Sequence, residues 1–212
     1  MITAGVPLTD GIKKSGLFCS VEGRFALTRK ARVVFLTASE RQALADELRA
    51  QIRACRENGI PLTHADSHHH VHEEWGIAAV VIAVCREHGI PYLRLARNCG
   101  PRHSFVGELY RRCLNLQLRK AKLARTRYFG SLADFMHLLE REATSETSIS
   151  AEITVHPTLR SDGMLVDKTT GRVFEKVRRA ALRARRDFSV TTTAARYIDA
   201  YRALLSSRRL FR

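Results

Sequence analysis

The sequence has no uninterrupted apolar run approaching the roughly 18–20 residues that a membrane-spanning helix needs. Its first residues, Met1-Ile-Thr-Ala-Gly-Val-Pro-Leu8, lack both the basic cluster and the apolar stretch of a signal peptide. Cysteines are few: Cys19, Cys55, Cys85, Cys99 and Cys113 are odd in number and nowhere spaced as CxxC. That argues against a zinc ribbon, a thioredoxin-type site or a disulfide framework, and a reducing, cytoplasmic setting is expected. Cys55 and Cys85 fall among apolar neighbours in helical patterns and read as small buried thiols. Acids are scarce, 21 against 36 Lys+Arg, leaving a formal charge of +15 with histidine neutral.

What is present is ordinary globular material. Over 212 residues, 45% are hydrophobic and 27% charged, which excludes wholesale disorder and gives enough apolar surface for a core. At roughly 100–200 residues per domain, a single domain over residues 1–212 is expected, with a basic part over 172–212.

The excess positive charge is concentrated in two places. Residues 111–127 hold seven Lys/Arg and no acid, and residues 172–212 hold twelve against three acids. Such stripes can neutralise phosphates. They contain few interleaved aromatics and match no nucleic-acid-binding motif, so a solvated basic face is the expected reading, without a dedicated nucleic-acid partner.

Two segments echo one another at an offset of 30 residues: Cys55-Arg-Glu-Asn-Gly-Ile-Pro61 and Cys85-Arg-Glu-His-Gly-Ile-Pro91. In each, the glycine sits where a helix C-cap needs positive φ and the proline stops the helix. Each follows an amphipathic pattern and precedes a β-prone run, as parallel strands joined by crossover helices require. Thr37-Ala-Ser-Glu40 reads as a capping box that opens the first helix, with Leu44, Leu48, Ile52 and Cys55 at helical spacing. The second helix, over residues 76–88, is apolar nearly all round and should be buried on more than one side. Further helices are predicted over 104–124 and 131–143, with Ser131 and Asp134 at the start of the latter. A strand is predicted over 148–155, then a polar loop over 160–172, a helix, a short strand at 188–191 and a last helix over 193–205. The first 35 residues, dotted with glycines, read as loops more than core. The alternation gives an α/β class, with a barrel-like parallel sheet as its leading architecture.

The informative segment is Thr63-His64-Ala65-Asp66-Ser67-His68-His69-His70-Val71-His72, which places five of the nine histidines within nine residues. On a strand, His64, Asp66, His68, His70 and His72 would share a face. If the chain turned helical, His68 and His72 would still align at i, i+4. Either way, imidazoles and a carboxylate gather as the ligand set of Zn²⁺ or a similar divalent metal, at a strand end where α/β enzymes keep their active sites. Not every histidine can be a ligand, and some would orient substrate or support the ligands.

Residues 61–72, Pro-Leu-Thr-His-Ala-Asp-Ser-His-His-His-Val-His, closely resemble the signature of the YdjC-like carbohydrate deacetylases, which include chitooligosaccharide and hopanoid-associated deacetylases. The segments Gly89-Ile-Pro-Tyr-Leu-Arg94 and Ala151-Glu-Ile-Thr-Val-His-Pro157 also fit that family, in the right order. The resemblance implies a (β/α) barrel that removes acetyl groups from N-acetylated sugars with a divalent metal, Mg²⁺ or Zn²⁺. His68 would be the metal-binding histidine, with His72 beside it. Asp66 would support the site, His156 falls on the late His-Pro motif of the general acid, and Arg94 on a strand-end arginine facing the pocket. The family's opening Asp-Asp-Phe-Gly and Gly-x-His segments, which carry two further metal ligands, have no counterpart here. Residues 2–8 resemble the family sequence immediately downstream of the Gly-x-His segment, so a late-assigned start or a shortened gene is expected, with the first βα elements missing and poor activity of the chain as given. Exposed sheet edge would then favour a homo-oligomer. Two alternatives stay open: a non-catalytic remnant that binds sugar or metal, and a basic nucleic-acid-binding protein.

Overall fold

The computed structural model describes residues 2–27, 33–100, 104–123, 126–142 and 150–173, the side chains of 139–142 excepted. These fall into two compact units, one built on residues 1–98 and 103–127, the other on 99–102 and 128–212.

In the first unit, α1 (Asp10–Lys13) is a single turn and α2 (Ala38–Glu57) the main helix. The expected capping box opens α2: Glu40 donates its N–H to the Thr37 hydroxyl at 3.2 Å, and the Glu40 carboxylate accepts the Thr37 N–H at 2.8 Å. α3 (Trp75–Glu87) packs on α2, and its apolar circumference is buried on two sides as its composition requires. Ile77, Val80 and Val84 join the large core, while Ala78 meets Ala96 and Leu114 of α4 (Phe105–Lys120). Gly59 and Gly89 take φ of 71° and 62°, and the N–H of the following isoleucine reaches back to the Cys55 or Cys85 carbonyl. The repeated motif is therefore a repeated helix terminator. α4 ends sooner than its basic run suggested, at Ala121, and Arg112, Arg119 and Lys120 lie exposed on it.

The opening residues correct the sequence reading. Ile2, Ile12, Phe18, Cys19, Phe25 and Leu27 are buried in the same core as Leu44 and Ile77. Irregular spacing hid them, because their partners lie on α2 and α3 and impose no local period. A buried carboxylate ties this segment down: Glu47, at mid-α2, accepts N–H bonds from Leu8 (3.1 Å) and Thr9 (2.8 Å), the Thr9 hydroxyl (2.9 Å) and Gln51 (2.8 Å). Four donors compensate the burial of its charge.

Between the helices, residues 61–66 and 91–95 run extended and meet at one parallel bridge, Ala65 with Leu93. Asn115 of α4 clamps the second of these, accepting the Ala96 N–H at 2.9 Å and donating to the Ala96 carbonyl at 3.0 Å.

In the second unit, β1 (Tyr128–Ser131) pairs in parallel with β2 (Ala151–Thr154) across α5 (Leu132–Glu142), a βαβ arrangement. Ser131 caps α5, its hydroxyl accepting the Asp134 N–H at 3.3 Å while the Asp134 carboxylate accepts the Ser131 N–H at 2.8 Å. Residues predicted as a polar loop instead contain a strand: β3 (Pro157–Leu159) pairs antiparallel with β4 (Leu165–Asp167) around the Asp162-Gly163 turn. Leu165 and Val166 are buried, which is what pulls the segment out of solvent. The helices and strand predicted beyond residue 173 lie outside the described residues. The chain is thus mixed α/β with parallel pairing. No helix among the described residues is long and apolar enough to cross a membrane.

Candidate functional site

The histidine segment adopts neither geometry expected of it. Residues His68–Glu73 form a 3-10 turn in which His69 and His70 take φ of 56° and 58°. Two successive left-handed residues without glycine cost on the order of 1–2 kcal/mol each, a strain that surrounding contacts must hold. The consequence is a sorting of the histidines. His68 and His69 stack on one another with ring centroids 3.8 Å apart, both exposed, and His68 Nδ1 pairs with the Thr3 hydroxyl at 2.7 Å. His72 turns inward and is 2% exposed. The turn therefore parts His68 from His72 instead of aligning them.

Arg94 organises the interior side of the turn. It is 2% exposed, and Leu93 and Leu95 flank it in the core. Its Nε donates to Asp66 Oδ1 at 2.5 Å, one Nη to Glu73 Oε1 and to the Leu95 carbonyl, each at 3.1 Å, and the other Nη to His70 Nδ1 at 2.6 Å. A planar guanidinium suits this because its donors point in fixed, separate directions. Since His70 Nδ1 accepts from Arg94, neutral His70 carries its proton on Nε2. Burial pushes the Asp66 carboxyl up, but the Arg94 hydrogen bond and charge, helped by the Ser67 N–H, outweigh it and hold it below the usual carboxylate range. Asp66 is therefore an anion anchored to Arg94.

Ser67 fixes His72, accepting its backbone N–H at 3.1 Å and pairing with its Nδ1 at 2.5 Å. Burial first, then the Arg94 charge, push the His72 imidazole down to about 3, so it is neutral at physiological pH. A cavity of about 230 Å³ lies beside Asp66, Ser67 and His72, walled by Leu48, Ile52 and Val81. It is smaller than the ~300–1,000 Å³ of ordinary ligand pockets.

The divalent metal that the family resemblance implies would need several free donors gathered in one place. His72 is neutral, and its Nε2 has no hydrogen-bond partner among the described residues, as a ligand nitrogen would require. Asp66, however, is taken by Arg94, and His68 is turned away to Thr3. Among the described residues, no group of three His, Cys, Asp or Glu side chains could hold a metal ion. The residues described do not by themselves fit a metal centre.

His156 belongs to the second unit and sits between β2 and β3, 58% exposed. Its Nδ1 pairs with the Thr169 hydroxyl at 2.9 Å. Ser67, Glu73, Thr169 and the buried Asp167 do not stand out in the sequence. Only Ser67, inside the histidine segment, carries a signal that could have found it.

With these side chains placed, comparison with known proteins is informative. The model of the YdjC-like protein family matches residues 2–196. The chain belongs to the YdjC-like family. Within it, residues of this chain are 34% identical to a carbohydrate deacetylase of Vibrio parahaemolyticus over 89 residues, 42% of this chain and 33% of the relative. A carbohydrate deacetylase of Brevibacillus brevis is 32% identical over 43% of this chain and 34% of its own length. One from Oceanobacillus iheyensis is 30% identical over 43% and 37%. The match spans about a third of these curated relatives. Among solved structures, a protein of Enterococcus faecalis V583 provisionally named for cellobiose-phosphate cleavage is similar with a TM-score of 0.53 and 17% identity. That likeness covers 93% of this YdjC-like chain and 71% of the other, and it concerns the fold.

Proposed function

We propose that the chain is the part of a carbohydrate deacetylase that hydrolyses the acetamide of an N-acetylated sugar, within a (β/α) barrel-like sheet. The observation that carries this reading is membership of the YdjC-like family over residues 2–196, with relatives named carbohydrate deacetylase. The residues supply suitable chemistry. Water adds to the acetyl carbonyl, the C–N bond breaks, and the nitrogen must leave as an amine carrying an added proton. His156, exposed and paired through Nδ1 among the described residues, presents Nε2 as the donor of that proton. Asp66 and Arg94 act as a fixed ion pair that shapes the histidine turn, with Arg94 holding His70 so that its Nε2–H points away from the pair.

A divalent cation, Mg²⁺ or Zn²⁺, is the cofactor that the family resemblance implies for this reading; its proposed ligands, His68 and His72, are parted by the turn, and holding one ion between them would require the turn to open. The cation would supply Lewis acidity and an activated water. Because the described donors do not complete a centre, no step is routed through it. Zn²⁺ titration of the chain is expected to show weak binding that falls at least about tenfold in His68→Ala. Equal affinity in the two proteins would remove His68 as a ligand.

The reading itself is tested by acetate release from N-acetylglucosamine oligomers, with and without added Mg²⁺ or Zn²⁺. Acetate and free amine in equal amounts are expected, at a low rate, because the described donors do not complete a metal centre. Binding of the oligomer without any acetate would favour a sugar-binding module instead.

A further inference from the structure

We infer that Thr169 and Asp167 are positioning residues that hold His156 in one tautomer and leave its Nε2 as the working nitrogen; this rests on the deacetylase reading above. The arrangement is built by the β3–β4 hairpin. Asp167, the last residue of β4, is 1% exposed and both of its carboxylate oxygens are used. Oδ1 accepts the His156 N–H at 2.9 Å and the Thr169 N–H at 3.4 Å, and Oδ2 accepts the Thr170 hydroxyl at 2.7 Å. On the other side, the His156 carbonyl accepts the Lys168 N–H at 2.7 Å. The His156 backbone is therefore held from both ends by the segment at the end of β4, and the Asp167–Gly171 turn closes on itself through the Gly171 N–H at 2.7 Å.

The ring is held separately. Thr169 Oγ1 lies 2.9 Å from His156 Nδ1, and Asp167 Oδ1 lies 3.8 Å from the same nitrogen. A hydroxyl can either donate to or accept from an imidazole nitrogen, so the threonine alone does not choose. The carboxylate biases the choice but lies too far, at 3.8 Å, to accept a hydrogen bond itself, so the threonine oxygen is the acceptor that fixes the proton the carboxylate favours. A lone pair on Nδ1 would face an anionic oxygen, whereas an N–H there is attracted to it. Nδ1 therefore carries hydrogen and donates to Thr169 Oγ1. Nε2 is the nitrogen that gains and loses the catalytic proton. In the reaction step, imidazolium Nε2–H passes its proton to the leaving nitrogen as the C–N bond breaks, and the neutral ring that remains keeps Nδ1–H. Orientation by a group behind the ring is the usual way such a histidine is kept productive.

The test uses the 212-residue chain labelled with ¹⁵N-histidine, with the His156 signals identified by their loss in His156→Gln. Wild type is expected to show His156 as the Nδ1–H tautomer at a pH where the ring is neutral. Thr169→Val, which keeps the shape and removes the oxygen, is expected to shift His156 toward the Nε2–H tautomer that free imidazole prefers. Thr169→Ser is expected to restore Nδ1–H. In acetate release, Thr169→Val should lower kcat about ten- to a hundredfold with KM little changed, and Thr169→Ser should recover it. An Nε2–H tautomer in wild type, or a Thr169→Val spectrum identical to wild type, overturns the inference. The spectrum needs no turnover, so failure of the wild-type chain to release acetate would count against the deacetylase reading and leave the orientation to be decided by the spectrum.

Discussion

Replacing Arg94 by methionine is expected to remove about 3–5 kcal/mol of folding stability, a large part of the ~5–15 kcal/mol typical of a domain. The guanidinium is the common partner of Asp66, Glu73 and His70, and it is 2% exposed. Methionine fills much of the same volume, so the loss reports stranded charge more than a cavity. Glu73 suffers more than Asp66, because its side chain is 16% exposed against 49% and has less access to water. Arg94→Lys should recover only part of the loss, since an ammonium cannot present separate fixed donors to two carboxylates and a histidine nitrogen. Adding Glu73→Gln to Arg94→Met should recover part of the loss, because it removes the less solvated of the two stranded anions and leaves only Asp66, which is half exposed. Urea unfolding of the four proteins measures this directly. A loss below about 1 kcal/mol in Arg94→Met, or no recovery in the double variant, would show that the guanidinium does not hold the turn.

The same cluster shows what the sequence made readable and what it did not. Asp66, His68, His70, His72 and Arg94 were identifiable because unusual residue types crowd into a short segment and because they resemble a family signature. Their geometry was not. Period-two and period-four rules assume regular backbone, and His69 and His70 leave it for the left-handed region, where no propensity would place two histidines. Glu73 escapes notice because an acid just before a helix reads as a favourable first-turn charge. Elsewhere, features closed within a few residues came through: the Thr37–Glu40 box, the glycine terminators at 59 and 89, and the Ser131–Asp134 cap. Features settled by distant partners did not. Phe18 is buried because α2 and α3 cover it, and β4 is a strand because Leu165 and Val166 find apolar cover. Asp167 lies eleven residues from His156 and reaches it only once the hairpin forms, so no spacing rule could pair them.

On the proposed deacetylase reading, with His156 as the proton donor, His156→Ala is expected to lower the turnover of N-acetylglucosamine oligomers by roughly 10²–10⁴-fold, the usual cost of removing a general acid. Stability should hardly change, because the ring is 58% exposed and the hydrogen bonds that lock the hairpin to this position use the backbone N–H and carbonyl, which alanine keeps. A fall in rate with an unchanged melt therefore reports chemistry and not unfolding. KM should move little, since a proton delivered only as the C–N bond breaks contributes nothing to the bound ground state. The decisive comparison uses two leaving groups. An alkyl amine such as a sugar nitrogen cannot depart as an anion and needs the proton; 4-nitroaniline departs with far less help. The defect in His156→Ala should thus be large on the sugar substrate and much smaller on 4-nitroacetanilide. An equal loss on both would make His156 a residue that binds or positions the acetyl group, and near-normal turnover on the sugar would remove it from the mechanism.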